Sequence, residues 1–145
     1  MDKFVFIFII CLLFQSFSPI YALAQDDVYA GKEYKKVIMI DLDGVLNNYS
    51  KYDKNRIPEI KTGAKDFIKK LDKTGKYELV LFTTRSPKLA TEWLVKNKID
   101  KYFKDVTNVK YPAYIYLDDR AVQFKGNYET AFEEIEEFKI YWKQY

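Results

Sequence analysis

The sequence lacks much of the side-chain chemistry on which many enzymes depend. It contains no histidine and a single cysteine, Cys11, which lies in an apolar stretch near the N-terminus. The absence of histidine excludes Ser-His-Asp and Cys-His catalysis and argues against a zinc enzyme. Any acid–base chemistry must therefore come from carboxylates, lysines or tyrosines.

An excess of charge of one sign is also missing. The chain carries 24 Lys and Arg against 21 Asp and Glu, a formal net charge of +3, which is too small to indicate a class of partner. The 145 residues contain no internal repeat, no low-complexity segment and no linker that would divide them. These features predict one folded domain.

Long hydrophobic runs are absent except at the N-terminus. Lys3 precedes an apolar run over residues 4–14, and Ala22-Leu23-Ala24 forms a small-x-small site. This pattern predicts a secretory signal peptide, residues 1–24, on a secreted or periplasmic protein. An uncleaved membrane anchor is the alternative, but the run is shorter than the roughly 20 residues that span a bilayer. We therefore expect no stable membrane span after signal removal.

Cleavage at this site would leave a cysteine-free chain of ordinary size for one domain. Removing 24 of the 145 residues leaves 121, enough for a single hydrophobic core. Disulfides cannot stabilise this product outside the cytoplasm, because it has no cysteine. We predict a short polar lead-in over residues 25–35 and the domain over residues 36–145. The sequence leaves the oligomeric state open.

Three short apolar runs each end in a cluster of polar side chains. Such runs are typical of strands buried on both faces of a parallel sheet, and the ligand crevice of such sheets lies beyond the carboxyl ends of the strands. The three clusters are therefore expected to meet. They are Asp41-Leu42-Asp43-Gly44 after residues 37–40, Thr83-Thr84-Arg85 after residues 79–82, and Asp118-Asp119-Arg120 after residues 114–117.

Helical patterns lie between and after these runs. We predict one helix with Thr62 as its cap and Gly75 just past its end, one beginning at Ser86-Pro87, and one capped by Asn127. The last has apolar positions at Phe132, Ile135, Phe138 and Trp142. A further edge-like strand is predicted over residues 103–107. Alternating strands and helices predict an α/β fold, a three-layer sandwich with a mostly parallel central sheet and right-handed crossovers.

The first cluster supplies two carboxylates that can have different chemical roles. Either Asp41 or Asp43 can attack phosphorus to form an aspartyl-phosphate, while the other protonates the leaving oxygen and later deprotonates water. Gly44 would allow a tight turn and a close approach to a phosphate. An ordinary surface turn is the alternative interpretation of Asp-x-Asp-Gly, and the apolar residues on both sides argue against it.

The second cluster has groups suited to binding a phosphoryl oxygen. A hydroxyl of Thr83 or Thr84 can donate a hydrogen bond, Arg85 can bind phosphate with its guanidinium fork, and the helix beginning near Pro87 adds the positive end of its dipole. The alternative is a strand-to-helix turn with no ligand.

The third cluster indicates a cation. Asp118 and Asp119 repel one another, and Mg²⁺ is the natural counter-charge because it binds one or two carboxylates together with waters and substrate oxygens. Neutralisation by Arg120 and nearby lysines is the alternative. Lys110, shortly before the same strand, can lower the repulsion between a carboxylate nucleophile and a phosphoryl group.

With these motifs in order, the chain resembles the phosphatase branch of the haloacid dehalogenase superfamily. The resemblance covers roughly residues 36–126. It implies that Asp41 is the nucleophile and a Mg²⁺ ligand and that Asp43 is the general acid/base, with its backbone carbonyl on the metal. It further implies that Thr83 and Lys110 hold the phosphoryl group and that Asp118 and Asp119 bind Mg²⁺. Dehalogenating members lack the second motif aspartate, so Asp43 favours phosphate chemistry.

The Thr-x-Arg and Asp-Asp-Arg variants resemble a capless subgroup that includes the phosphatase domain of polynucleotide kinase-phosphatases. Both places where the family inserts a cap are short here, and the 47–60 excursion, with Lys51, Lys54 and Arg56, is the only local lid expected. An open site in this family goes with large or polymeric phosphorylated substrates, or with a partner that closes the site. Nucleic acid is an alternative that we do not favour, because the 13 tyrosines and many lysines fit an ordinary amphipathic surface equally well.

The leading functional hypothesis is therefore a secreted, Mg²⁺-dependent phosphomonoesterase that acts through an aspartyl-phosphate. A non-catalytic secreted domain that binds a phosphorylated ligand or partner is the alternative, and a retired enzyme of this kind usually loses Asp41 or Asp43. A phosphomutase is a third hypothesis, disfavoured because it needs a cap to exclude water.

Overall fold

A computed structural model of the chain describes residues 34–143. The predicted signal peptide over residues 1–24, and the lead-in up to residue 33, lie outside the described residues, so both remain predictions. Within residues 34–143, no helix is long and apolar enough to cross a membrane.

Four parallel strands form the central sheet, as the sequence predicts. They are β1 (Lys36–Asp41), β2 (Tyr77–Phe82), β3 (Phe103–Thr107) and β4 (Ile115–Leu117). Their order across the sheet is β3-β2-β1-β4, and every pairing is parallel. Helices flank this sheet, which confirms the α/β sandwich. The predicted edge strand β3 is also confirmed, and it borders β2.

Two helices pack their predicted apolar positions against the sheet. Helix α1 (Ala64–Lys73) buries Ala64 and Ile68, and helix α2 (Pro87–Lys96) buries Ala90, Trp93 and Leu94. These side chains join alternate residues of β1 and β2 in one core, as expected for strands whose successive side chains point to opposite faces. The core residues of the two strands are Ile38, Ile40, Leu79 and Leu81.

Two predicted helix caps are wrong in detail. Gly63, not Thr62, precedes α1, with a φ of 84° and no side-chain cap. Ser86 does occupy the cap position of α2, with Pro87 at the first turn, but its hydroxyl accepts no capping hydrogen bond. Proline has no backbone N–H, so at the first turn of a helix it leaves no donor that a cap must satisfy. The helix therefore begins at Pro87 without a hydrogen bond to the Ser86 hydroxyl.

The third helix is shorter than its apolar pattern predicts. Helix α3 (Tyr128–Glu136) begins at the predicted cap, since Asn127 Oδ1 accepts from the backbone N–H groups of Glu129 and Thr130. It ends before Phe138 and Trp142, so the prediction that these residues continue the helical stripe is wrong. Phe132 and Ile135 on α3 are 63% and 59% exposed, so the predicted apolar stripe of this helix is not buried.

Candidate active site

The three polar clusters converge at the carboxyl edge of the sheet. Asp41 pairs with Phe82 across β1 and β2, and Ile40 pairs with Leu117 across β1 and β4, so the residues that follow these strands are neighbours. A pocket of about 240 Å³ opens at this edge. Its lining residues are Asp41, Asp43, Tyr49, Tyr52, Phe82, Thr84, Asp118, Asp119 and Arg120.

Three carboxylates of this pocket lie close enough to share one cation. One oxygen each from Asp41, Asp118 and Asp119 can be chosen so that all three lie within 4.8 Å of one another. Burial, and then the neighbouring charge of Asp118, raises the pKa of Asp41 from 3.8 to about 7. Both effects disfavour the charged carboxylate. A bound cation would reverse this penalty, because an opposite charge favours ionisation.

Asp119 has one carboxylate oxygen that is buried without a hydrogen-bond partner. Its side chain is 2% exposed, and its Oδ1 is buried with no hydrogen-bond partner. Arg120 Nε lies 3.8 Å from that oxygen, which is too far for a hydrogen bond. The other oxygen, Oδ2, accepts from the indole N–H of Trp142. A buried carboxylate oxygen without a donor is a costly arrangement that a ligand can relieve.

These residues fit a hard divalent cation. All the candidate ligands are carboxylate oxygens, the donor type that Mg²⁺ and Ca²⁺ prefer over softer metals. The unpartnered Oδ1 of Asp119 provides a free ligand atom within the triad. The alternative prediction is that Arg120 neutralises the Asp118–Asp119 pair. Arg120 donates its backbone N–H to Asp118 Oδ1 at 2.8 Å. It makes no hydrogen bond to Asp119 Oδ1, so it neutralises the pair only in part.

Asp43 is held firmly by two neighbours. Asn47 Nδ2 donates to Asp43 Oδ1 at 2.8 Å, and Arg85 Nε donates to Asp43 Oδ2 at 2.7 Å. Asn47 is fully buried, and its own Oδ1 accepts from the backbone N–H of Gly44 at 3.1 Å. Sequence reasoning missed Asn47, although an amide four residues after a candidate acid was a visible signal.

The position of Arg85 differs from the one expected of a phosphate ligand. Its side chain is 1% exposed, and Nη1 donates to the carbonyl oxygens of Asp53 at 2.6 Å and Arg56 at 3.2 Å. Arg85 therefore links Asp43 to the 47–60 excursion. Nη2 of Arg85 is buried without a hydrogen-bond partner. Any contact between Arg85 and a phosphoryl oxygen would therefore have to be made by Nη2.

The two threonines after β2 have different surroundings. Thr83 is buried, and its Oγ1 accepts from the backbone N–H of Arg85 at 3.2 Å. Thr84 is exposed and lines the pocket. The threonine that lines the pocket is thus Thr84, whereas the resemblance singled out Thr83.

Lys110 does not line the acidic pocket. It is exposed, and its Nζ lies 4.2 Å from the centroid of the Tyr116 ring on β4. The structure therefore does not bring Lys110 together with the carboxylates, and its predicted contact with a phosphoryl group has no counterpart in this arrangement.

Residues near the C-terminus complete the wall beside Gly44. Gly44 has a φ of 86°, and a Cβ there would collide with the Asp119 carboxylate and the Trp142 indole. The Tyr141 hydroxyl donates to the carbonyl oxygen of Gly44. Glycine is therefore required here both by the backbone conformation and by close packing. Sequence reasoning missed these contacts, since they join residues distant in the sequence, 97 positions apart for Tyr141 and Gly44.

The 47–60 excursion is joined at its base and contributes aromatic side chains to the pocket. Asn47 and Ile60 form an antiparallel bridge, and Asn48 donates its backbone N–H to Glu59 at 2.9 Å. Tyr49 and Tyr52 line the acidic pocket. The basic residues predicted as a lid lie elsewhere. Lys51 and Arg56 line a neighbouring cavity of about 660 Å³, and Lys54 lines neither space.

Comparisons with known proteins leave the family of the chain unassigned. No protein-family model matches it, and no curated protein matches it. Among solved structures, the chain is similar to a conserved protein from Bacteroides thetaiotaomicron, with 25% identity, a TM-score of 0.49, and coverage of 72% of this chain and 92% of the other. A TM-score of this size supports no inference about function, so the candidate site rests on its own geometry.

Proposed function

We propose that this protein is a Mg²⁺-dependent phosphomonoester hydrolase of the haloacid dehalogenase type, acting through a covalent intermediate on Asp41. The observation that carries the proposal is the grouping of Asp41, Asp43, Asp118 and Asp119 in one pocket at the carboxyl ends of the adjacent parallel strands β1 and β4. Two of these carboxylates suit attack and proton transfer, and three suit a cation. The number and placement of these four carboxylates exceed what a structural turn needs.

The first step is attack on phosphorus by a carboxylate oxygen of Asp41. A P–O bond to Asp41 forms, the P–O bond to the leaving group breaks, and the leaving oxygen takes a proton from Asp43. Bound Mg²⁺, held by Asp41, Asp118 and Asp119, would reduce the repulsion between the carboxylates and the phosphoryl oxygens. Thr84, which lines the pocket, would donate a hydrogen bond to one of those oxygens.

The second step is hydrolysis of the aspartyl-phosphate. A water molecule attacks phosphorus, Asp43 takes its proton, and inorganic phosphate leaves with Asp41 restored. Both oxygens of Asp43 accept hydrogen bonds, from Asn47 and Arg85. That arrangement suits the step in which Asp43 receives a proton from water. For the first step, one of the two contacts must open so that a protonated Asp43 can reach the leaving oxygen.

Access to the pocket is consistent with a varied range of leaving groups. Within residues 34–143 no additional domain covers the pocket, and the 47–60 excursion supplies its rim. The neighbouring cavity, lined by Lys51 and Arg56, provides further room for a large phosphorylated substrate. Export of the protein is a separate proposal that rests on residues 1–24 alone.

A non-catalytic phosphate-binding domain is the second candidate function. The observation in its favour is the position of Lys110, whose amino group lies over Tyr116 and not in the acidic pocket. A hydrolase that lacks this charge would neutralise the phosphoryl group less completely. Binding of a phosphorylated ligand would still be served by the cation and Thr84.

Hydrolysis of p-nitrophenyl phosphate by the purified protein separates the two candidates. We expect turnover with Mg²⁺, none with chelator, and none from Asp41→Asn in either condition. Asp66→Asn is the matched control, because Asp66 is an exposed carboxylate on α1 paired only with Lys69. Equal, negligible rates in all samples, repeated with alkyl and nucleoside phosphates, would rule out the hydrolase and leave the binding domain.

A further inference from the structure

Two tyrosines of the 47–60 excursion stand on the rim of the acidic pocket and take no part in the steps described above. Tyr49 and Tyr52 line the same pocket as the four carboxylates. Tyr52 is 58% exposed. A large aromatic side chain left open to water beside a reactive pocket is a common feature of binding surfaces.

Tyr52 is held in place despite its exposure. The Arg85 guanidinium lies under it, with Cζ 5.1 Å from the ring centroid. Arg85 is itself fixed by Asp43 and by the carbonyl oxygens of Asp53 and Arg56, which belong to the same excursion as Tyr52. The ring is thus pre-organised, and a ligand that stacks on it avoids much of the entropy cost of ordering a mobile loop.

Tyr49 is fixed by a different set of contacts. Its ring centroid lies 4.9 Å from that of Trp142, at an interplanar angle of 77°, which is an edge-to-face arrangement. The Arg120 guanidinium lies 5.4 Å from the Tyr49 centroid and 5.2 Å from the Trp142 centroid. Flat side chains and guanidinium groups therefore surround the mouth of the pocket, and such surfaces favour planar ligands.

The cavities place these rings next to the position of a leaving group. Tyr52 lines both the acidic pocket of about 240 Å³ and the neighbouring cavity of about 660 Å³. A phosphoryl group bound among the carboxylates would have its ester oxygen in the pocket that the two tyrosines also line, and Tyr52 lies on its exposed side. The first surface that the organic part of the substrate meets is therefore aromatic.

We propose that Tyr52 and Tyr49 form a leaving-group subsite that selects phosphomonoesters bearing a planar aromatic group, either an aryl ring or a nucleobase. The inference rests on the proposed function for the position of the phosphoryl group. Stacking on an exposed aromatic ring contributes about 5- to 150-fold in affinity per base in single-stranded nucleic-acid complexes. We expect Tyr52, the more exposed ring, to account for most of the discrimination here.

Binding of two inert phosphonates tests the subsite without any turnover. Calorimetry with Mg²⁺ compares phenylphosphonate with methylphosphonate, which share the phosphoryl-like end and differ in the planar group. We expect the wild-type protein to prefer phenylphosphonate about 10-fold. Tyr52→Ala is expected to abolish that preference, Tyr52→Phe to retain it, and Tyr128→Ala to leave it unchanged, since Tyr128 is an 82% exposed tyrosine on α3.

A second set of ligands distinguishes an aryl ring from a nucleobase as the group that the subsite binds. In the Asp41→Asn background, phenyl phosphate and adenosine 5′-monophosphate are each compared with glycerol 3-phosphate, before and after Tyr52→Ala. A loss of affinity for phenyl phosphate alone identifies an aryl subsite, and a loss for the nucleotide identifies a nucleobase subsite. No loss for either, or equal binding of the two phosphonates by the wild-type protein, overturns the subsite.

These results are separable from the proposed function. Preference for phenylphosphonate without any hydrolysis would contradict the phosphatase and leave the subsite standing. Hydrolysis without a preference for phenylphosphonate would support the phosphatase and contradict the subsite. Failure of both phosphonates to bind in the presence of Mg²⁺ would count against the phosphoryl position and the subsite together.

Discussion

The ends of β1 and β4 face the same pocket but are stabilised in different ways. After β1, Asp43 has both carboxylate oxygens bonded, one to Asn47 and one to Arg85, and each partner makes a further hydrogen bond of its own. After β4, the Asp119 side chain is more deeply buried than that of Asp43, yet one of its oxygens has no hydrogen-bond partner. The protein satisfies the first carboxylate internally and leaves the second incomplete.

Under the proposed function, this difference separates a group whose orientation matters from groups that would bind a cation. A proton-transfer residue works only in a restricted geometry, and two hydrogen bonds restrict the orientation of Asp43. Metal ligands need unsatisfied lone pairs and gain their partner on binding. The comparison therefore predicts that damage at the β1 end lowers both stability and catalysis, while changes at the β4 end lower cation binding.

The largest expected effect is the loss of turnover in Asp41→Asn. Removing the attacking oxygen should lower kcat by about 10³-fold or more, as loss of a catalytic nucleophile does in other enzymes. Steady-state kinetics with excess Mg²⁺ measure this loss, and Asp66→Asn should keep wild-type kcat. Retention of more than a tenth of the activity in Asp41→Asn would assign attack to another group.

Arg85→Ala should destabilise the fold, since it leaves the buried Asp43 carboxylate without its charged partner. Removing one member of a buried ion pair typically costs about 3–5 kcal/mol, and the Arg85 side chain is 1% exposed. Urea unfolding measures the change. Lys125→Ala is the control, because its ion pair with Glu134 is solvent-exposed on the Lys125 side and exposed pairs contribute little.

Arg85 also offers a kinetic readout that a purely structural residue would not give. If Arg85 orients Asp43 for proton transfer, Arg85→Lys should slow hydrolysis of alkyl phosphates more than that of p-nitrophenyl phosphate, whose leaving group needs no proton. Equal slowing of both substrate types would limit Arg85 to holding the 47–60 excursion.

Asp119→Asn is expected to weaken Mg²⁺ binding without destabilising the metal-free protein. The affinity should fall about 10- to 100-fold or more, the range seen when residues that support a metal are changed. The metal-free Tm should not fall, because the substitution removes a repulsive charge beside Asp41 and Asp118. Calorimetry and thermal unfolding test both parts. A fall of several degrees in the metal-free Tm would show that Asp119 is needed for folding instead.

The last expected effect is a pH dependence of the metal-free protein. The folded state raises the pKa of Asp41 from 3.8 to about 7, so the folded protein binds a proton that the unfolded chain has released. The free energy of unfolding that this bound proton contributes is lost as pH rises from about 4 to about 7. Above about pH 7 the free energy of unfolding no longer changes through Asp41. The Tm difference between wild type and Asp41→Asn, measured with chelator from pH 4 to 8, should follow this curve. A difference that stays flat across that range would contradict the raised pKa.

The sequence predicts the sheet and the position of the pocket well, because both follow from local patterns. Apolar runs define strands, and parallel strands bring their carboxyl ends together. The contacts of Trp142 and Arg85 could not be predicted in this way. Trp142 continues an apolar helical spacing, but the chain leaves the helix at Glu136 and the indole reaches Asp119. Arg85 follows a strand as a phosphate ligand would, yet its partners are set by the path of a distant loop.

Trapping the covalent intermediate tests the central claim most directly. The protein is mixed with substrate and Mg²⁺, quenched in acid, and reduced with borohydride, which converts an aspartyl-phosphate to homoserine; peptide mass spectrometry then locates the change. We predict homoserine at residue 41 in the wild-type protein and none in Asp41→Asn. Release of phosphate with no reduced residue, or reduction at Asp43, Asp118 or Asp119, would contradict the account.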